Sequence, residues 1–292
     1  MKKTAIIFSY NDGDLVLAPL KSVLQSDVDQ VFLLYGGDSI SKEVTRIEDT
    51  RLIKVLERER KGKVKALNSI VANVFGDLVF LISGDVSFDP SLIRKCEDSF
   101  TGTTGAVAVR VIPSNKATLT EKMGALMWEM HDAQMDYLSK KNSNVHGGEF
   151  ICVRKGLLHN VPEVINEDAF LCISAANKGL SVNYLEEGEV HNFVPSNLFD
   201  LFQQRRRVNF GHLEMMEMGW NPRIMDTLLF KQTSLFLEIF VTFLKRKKWS
   251  LISLPGAIFI EILANLSARM DSLFGKDHRK WVQVKRETVS QG

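Results

Sequence analysis

Cysteine is scarce: only Cys96, Cys152 and Cys172 occur in 292 residues, far apart and among apolar neighbours, as in "FICV" and "FLCI". That excludes a disulfide scaffold, and the spacing excludes a cysteine metal site; the three read as reduced core residues of a cytosolic protein. A large excess of one charge is also missing, since 37 Lys/Arg stand against 35 Asp/Glu for a formal net charge of +2. The basic residues of the C-terminal part alternate with Leu, Ile and Phe rather than forming a polar patch, so nucleic acid is not an expected partner. No stretch reaches the ~20 clean apolar residues of a membrane-spanning helix. The opening "MKKTAIIFSYNDGD" carries two lysines but only a short apolar run. It is expected to be a first strand rather than a signal peptide. Internal repeats and low-complexity segments are absent too.

What is present suits a soluble globular chain, 45% hydrophobic and 25% charged, long enough for one large or two small domains. The near-zero net charge hides an asymmetry. Residues 219–292 hold 12 Lys/Arg against 6 Asp/Glu, leaving 25 against 29 in the first 218. A basic, apolar C-terminus on an acidic body suggests contact with anionic lipid. "TAIIFSY", "VDQVFLLYGG", "LIKVLER" and "DLVFLISGD" read as strands, with helices over "LVLAPLKSVLQS" and "GKVKALNSIVANVFG" between them. Strands of Val, Ile, Leu and Phe with little alternation, separated by helices, indicate a mostly parallel sheet covered on both faces, an α/β architecture. Polar and glycine residues collect at the strand ends "SYND", "LYGGD" and "ISGD". In open α/β sheets ligands bind there, although turn chemistry alone also places such residues at strand ends.

Two further segments stand out. In "VINEDAFLCISAANKGL", Glu167 and Asp168 head an apolar helix that stops at Lys178-Gly179. Acids in a first helical turn meet the positive end of the helix dipole, worth about 0.3–1 kcal/mol each; at the mouth of a sheet the same acids can serve as a catalytic base. In "KMGALMWEMHDAQMDYLSKK", methionines recur at helical spacing. They suit a flexible core, or an adaptable groove for a long apolar acceptor.

As an ordered series, the motifs from about residue 4 to 211 resemble those of the family 2 glycosyltransferases, enzymes of the GT-A (Rossmann-like) fold. "IIFSYNDGD" resembles the family's opening strand and Tyr-Asn-acid turn. "GKVKALN" matches its Gly-Lys-x-x-Ala-Leu-Asn helix start. "LVFLISGD" lies where the family has Asp-x-Asp, and "HGGEFICVRKGLL" resembles its glycine-containing acceptor strand. "INEDAF" matches Thr-Glu-Asp, "VHNFVP" a His-x-x-Pro-like segment, and "QRRRVNFG" resembles Gln-x-x-Arg-Trp with the following glycine. Single motifs of this length are weak, and seven in the family's order are strong. The series departs from the family at three places. Ser83 replaces the first acid of Asp-x-Asp, Gly36-Gly37 replaces an acid pair after the second strand, and Val208 replaces the tryptophan associated with processive synthesis.

The resemblance implies an inverting transfer from a UDP- or GDP-sugar to a lipid-linked or polysaccharide acceptor at the cytoplasmic membrane face. Asp168 is the implied base, with Glu167 orienting it or binding acceptor. Donor contacts are implied for Tyr10, Asn11, Asp12, Asp38, Lys63, Asn68, Ser83, Asp85, Arg205 and Arg207, and acceptor contacts for Gly147, Gly148, Glu149 and Gln204. Guanidinium groups suit a leaving diphosphate, so Arg206 also belongs to the candidate cluster. Mn2+ or Mg2+ would neutralise the diphosphate as a Lewis acid; such ions take oxygen ligands and leave positions for phosphate. Asp85 is the implied ligand, with His191 a further one. The helix dipole is expected to lower the pKa of Asp168 and keep it ionised. Two other readings remain. One is a non-catalytic protein that keeps the nucleotide-sugar cleft, which Ser83 and Gly36-Gly37 favour. The other is a sugar nucleotidyltransferase, which would need a Gly-rich phosphate loop where "SYNDGD" stands.

The expected organisation is a catalytic domain over 1–218, with a donor half of about 1–112 and an acceptor half of about 113–218, followed by a helical region over 219–292. In that last region, Lys231, Ser234, Glu238, Thr242 and Lys245 form one polar stripe at helical spacing and Glu261, Asn265 and Arg269 another. The apolar faces would lie on an anionic membrane, aided by "KRKK" and "KDHRK", or would pack on the catalytic domain or a second subunit, a homo-oligomer. "WVQVKRET" resembles the ending of membrane-bound relatives.

Overall fold

The computed structural model describes residues 1–279 apart from 142, 144, 226–227, 229–230 and 247–250. Eight strands are present among them: β1 (Lys3–Tyr10), β2 (Gln30–Gly36), β3 (Leu52–Glu57), β4 (Leu78–Ser83), β5 (Ser87–Phe88), β6 (Thr104–Pro113), β7 (Phe150–Arg154) and β8 (Ser181–Asn192). They form one sheet in the order β3-β2-β1-β4-β7-β6-β8-β5. β1 runs parallel to β2 and β4, β2 to β3, and β6 to β8, whereas β7 is antiparallel to both β4 and β6, and β5 to β8. The sheet is therefore mostly parallel, as the apolar strands predict, with its antiparallel pairings in the later part. Every residue of β4 is buried, which is what a strand covered on both faces requires. Alternate residues feed two cores: Ile6 and Phe8 pack with Leu67, Ile151 and Phe170, while Ala5 and Ile7 pack with Leu20, Ile93 and Phe150. Cys96, Cys152 and Cys172 are buried free thiols in these layers.

The helices are α1 (Leu17–Leu24), α2 (Lys42–Arg46), α3 (Lys63–Ile70), α4 (Ser91–Asp98), α5 (Leu119–Lys140), α6 (Glu167–Asn177), α7 (Leu198–Glu217), α8 (Thr233–Arg246) and α9 (Leu254–Leu273). Helix α3 is shorter than its sequence suggests: at the β-branched pair Ile70-Val71 it passes into a 3-10 turn over Val71–Asn73. Helix α5 starts with a capping box, in which the Thr118 hydroxyl accepts from the Glu121 N–H at 3.1 Å and the Glu121 carboxylate accepts from the Thr118 N–H at 2.9 Å. Its methionines are core residues. Met123 packs with Phe243 and Ile260, and Met135 with Ala108 and Tyr184.

The C-terminal helices correct one expectation. Of the stripe on and just before α8, Lys231, Ser234, Glu238 and Lys245 are exposed and Thr242 is half-buried, and Ile239 and Phe243 point inward. Helix α9 is turned the other way. Ala257, Ile260, Ala264, Ala268 and Asp271 face the body of the protein; Glu261, its side chain 38% exposed, pairs with Arg205 on α7, while Arg269 stays exposed. Small residues let α9 approach α7 closely, and its acids find arginines there. The larger apolar side chains Phe259, Ile262, Leu266 and Met270 are left 60%, 53%, 55% and 57% exposed. No described helix is long and apolar enough to cross a membrane. Lys247, Lys248, Lys280 and "WVQVKRET" lie outside the described residues, as does the side chain of Arg246.

Candidate active site

Parallel pairing brings the carboxyl ends of β1 and β4 together, with Phe8 opposite Ser83. Gly62, at φ 95°, turns the chain into α3, a backbone angle that L side chains rarely adopt. Lys63 is thereby placed over the strand ends, its ammonium 3.2 Å from the Ser83 hydroxyl and 3.2 Å from Glu167 Oε1. From the other side Ser83 N–H donates to the Glu149 carbonyl at 2.8 Å. Phe8, Lys63, Ser83, Glu149, Glu167 and Asp168 line one cleft. It gathers residues from the first strand, α3, β4, the turn before β7 and the start of α6.

The charges in this cleft act on one another at close quarters. Burial pushes the Asp168 carboxyl up, and the neighbouring Glu167 adds to it, so that its pKa rises to about 7 against the pull of Lys63. The expectation of a lowered value fails because loss of hydration and a like charge outweigh the helix dipole and the bond that Asp168 accepts from the Ala169 N–H at 2.7 Å. Burial works against the charge of Lys63, but Glu167, Glu149 and Asp168 outweigh it and hold its pKa above the usual lysine value. Burial also lowers Arg207, while the same three acids favour its charge. A carboxyl poised near neutrality, beside two cations, is suited to take a proton from one reactant while the cations hold negative charge on another.

The model of the family described as "Glycosyltransferase like family 2" matches residues 3–211. The chain belongs to that family. As a solved structure it is similar to a mannosyltransferase from Pyrobaculum calidifontis in complex with GDP-Man and Mn2+, at 17% identity and a TM-score of 0.61, over 94% of this chain and 88% of that one. It is also similar to glucosyl-3-phosphoglycerate synthase from Mycobacterium tuberculosis in complex with Mn2+, UDP and phosphoglyceric acid, at 17% identity and a TM-score of 0.52, over 73% and 78%. Both likenesses are of fold, and comparison with curated proteins gives no match.

Within this glycosyltransferase the motif residues divide. Asp12 lies against the turn after β4: a side chain at Gly84 would meet its carboxylate oxygen at 2.6 Å. Asp85 follows that glycine, and β5 pairs Ser87 with His191 on β8, so Asp85 and His191 belong to adjoining strand ends. Among the described residues no three His, Cys, Asp or Glu side chains cluster to hold a metal ion. The carboxylate oxygens of Asp85 are of the type that Mn2+ and Mg2+ prefer, and a single carboxylate leaves positions for diphosphate and water. Gly148 lies between Trp128 and Asp168: a Cβ there would stand 3.0 Å from the Trp128 ring and 3.7 Å from Asp168 Oδ2. Gly147 is packed tightly on Ile151, and Glu149 takes a positive φ of 54° in the same turn.

Other residues of the motifs have partners within the fold or lie apart from this cleft. The Asn68 amide donates to the Val161 carbonyl at 2.9 Å, so it pins α3 to the loop before α6. The Asn11 side chain accepts from the Asp38 and Ser39 N–H groups at 2.5 and 3.1 Å and braces the loop after β2; Asp38 itself is exposed. Gln204 is half-buried on α7 and is not among the residues lining the cleft. Arg205 is held in a fork by Glu261 at 2.7 and 2.9 Å, and Arg206 by Asp271 at 2.5 and 2.6 Å. Successive residues on a helix point about 100° apart, and Arg207 is the one whose charge is favoured by Glu167, Asp168 and Glu149. Gly36 and Gly37 have packing reasons. A Cβ on Gly36 would lie 2.5 Å from the Glu57 carbonyl, and one on Gly37 2.0 Å from Asn11 Oδ1. Two residues at the site carry no motif signal. Trp128 reads from sequence as one more apolar helix position. Arg60, whose guanidinium lies 4.6 Å from the Tyr10 ring centroid, reads as part of a charged loop.

Proposed function

We propose that the protein transfers a sugar, with inversion, from a nucleoside-diphosphate sugar to a hydroxyl of a lipid-linked or glycan acceptor. The observation that supports this best is Asp168, half-buried in the cleft at the start of α6 beside the acceptor strand and close to Lys63 and Arg207. The acceptor oxygen forms a bond to the anomeric carbon as the bond from that carbon to the diphosphate breaks, and the acceptor proton passes to Asp168 Oδ. Glu167, locked to Lys63, fixes the base and the cation together. Arg207 and Lys63 face the negative charge of the departing diphosphate. A bound Mn2+ or Mg2+ supplies Lewis-acid stabilisation of that charge; Asp85, with His191 beside it, would hold the ion. Trp128, across Gly148, offers an apolar wall on which an acceptor sugar can lie. Residues 1–112 and 113–218 then act as donor and acceptor halves around one sheet. With isotope-labelled donor, Asp168→Asn is expected to lose about 100- to 10,000-fold in transfer, the usual worth of a general base, while still binding the donor. Transfer at the wild-type rate would overturn the assignment.

We further propose that the enzyme works on the inner face of an anionic membrane through residues 230–273. The outward apolar face of α9 supports this, with Leu273 and Phe274 84% and 73% exposed at its C-terminal end, as does the basic excess of residues 219–292. An apolar face at headgroup depth plus basic residues supplies the two signals that stable attachment requires.

A further inference from the structure

A second group of side chains stands at the same sheet edge, outside the transfer chemistry. Tyr10 pairs with Gly36 across β1 and β2, and Gly36 with Glu57 across β2 and β3. Residues in register on neighbouring strands project to the same face. It is the face of Phe8, two residues before Tyr10, and the Lys63 ammonium sits 5.8 Å from the Phe8 ring centroid. Gly36 leaves the middle position without a side chain; a Cβ there would stand 3.3 Å from Tyr10 Cδ2 and 3.2 Å from Glu57 Cβ. Arg60 comes from the loop after β3 and lies over the Tyr10 ring. A guanidinium stacked on an aromatic ring and a carboxylate thus meet at the carboxyl ends of three adjacent parallel strands, next to the cleft with Lys63. Glu57 is half-buried. Its pKa is raised by that burial, against the charges of Arg60 and Lys61, and no hydrogen-bond donor reaches its carboxylate among the described residues.

We infer that this group seats the base of the donor nucleotide and selects guanine, Glu57 accepting from guanine N1–H and N2–H while Arg60 donates to O6 and N7. The inference rests on the nucleotide-sugar reading above and names its base. Guanine presents two N–H donors side by side, which match the two oxygens of one carboxylate, and next to them two acceptors that match a guanidinium fork. Uracil presents one N–H between two carbonyl oxygens, so the second Glu57 oxygen would face an acceptor. Adenine and cytosine present an amino group where Arg60 donates. Arg60 already covers a face of the Tyr10 ring, so Tyr10 holds the guanidinium in place, and the discrimination comes from Glu57 and Arg60. With the base there, the diphosphate extends along the strand ends toward Lys63 and Arg207, and the anomeric carbon toward Asp168.

The test is calorimetric titration of the full chain with GDP and with UDP, each with Mn2+. GDP is expected to bind at least about 10-fold more tightly than UDP. Glu57→Gln is expected to weaken GDP by about 10- to 100-fold, the worth of a charge-assisted hydrogen bond, and to leave UDP unchanged. Arg60→Met should weaken GDP in the same way. A merely structural role for either residue would weaken both nucleotides alike, and that result overturns the guanine assignment, as does a preference for UDP. Binding of neither nucleotide would remove the donor reading itself and this assignment with it.

Discussion

Replacing Glu167 with Gln, and separately Lys63 with Met, tests the electrostatics of the base directly. Asp168 acts as a base only when ionised, so kcat/KM should fall about tenfold per pH unit once the pH drops below its pKa. That pKa is raised to about 7 by burial and then by Glu167, with Lys63 opposing. At an effective dielectric constant of about 20, two charges about 6 Å apart interact by about 3 kcal/mol, equivalent to about two pH units. Lys63 sits 3.2 Å from Glu167 and cancels part of the field that Glu167 exerts on its neighbour, so about one unit is the expected net effect. In the wild type the acidic limb of kcat/KM should centre near about pH 7. It should move down to about 6 in Glu167→Gln, where the like charge is gone, and up toward about 8 in Lys63→Met, where the attraction is gone. The assay is initial-rate transfer from labelled donor at subsaturating concentration between about pH 5 and 9, because kcat/KM reports groups of the free enzyme. Both variants will also be slower, but the position of the limb does not depend on its height. A wild-type limb near the ordinary carboxylate range, or a limb that stays in place in Glu167→Gln, would refute the reasoning.

Asp85→Ala should abolish the Mn2+ dependence of nucleotide binding in calorimetry; an unaltered response to metal would move the ion to Asp89 or His191. Asp271→Asn should destabilise the fold by about 3–5 kcal/mol, the cost of breaking a buried ion pair. The carboxylate is 1% exposed and holds Arg206 together with Lys276 and His278; thermal unfolding with an unchanged midpoint would contradict this. Because the folded pKa of Asp271 is depressed, its contribution is fully present above the unfolded value of about 3.8 and lost as pH falls through and below it. Finally, the protein should sediment with anionic liposomes at low salt and less so at high salt. A triple change of Phe259, Leu266 and Met270 to Ser should release it; a wild-type chain that stays in the supernatant would reject the membrane proposal.

The sequence by itself determined the strands and the chemical class. Unbroken Val, Ile, Leu and Phe in β1, β2 and β4 mean burial on both faces, which is a local property of composition. Glu167 and Asp168 are legible because they are adjacent at a helix start, and "GKVKALN" because the glycine turn and the lysine follow each other directly. What needed the tertiary structure is whatever depends on direction or on distant partners. Arg205, Arg206 and Arg207 are identical in sequence, yet the helical turn aims Arg205 and Arg206 at Glu261 and Asp271 and leaves Arg207 beside the acids of the cleft. The polar stripe of α9 suggests a face toward water, yet those arginines more than 50 residues earlier draw its acids inward and turn its large apolar side chains out. The pKa of Asp168 depends on how much water the fold removes, which no motif encodes. The grouping of Tyr10, Gly36, Glu57 and Arg60 arises only from strand register, since pairing residues that far apart in the chain is a decision of the whole sheet.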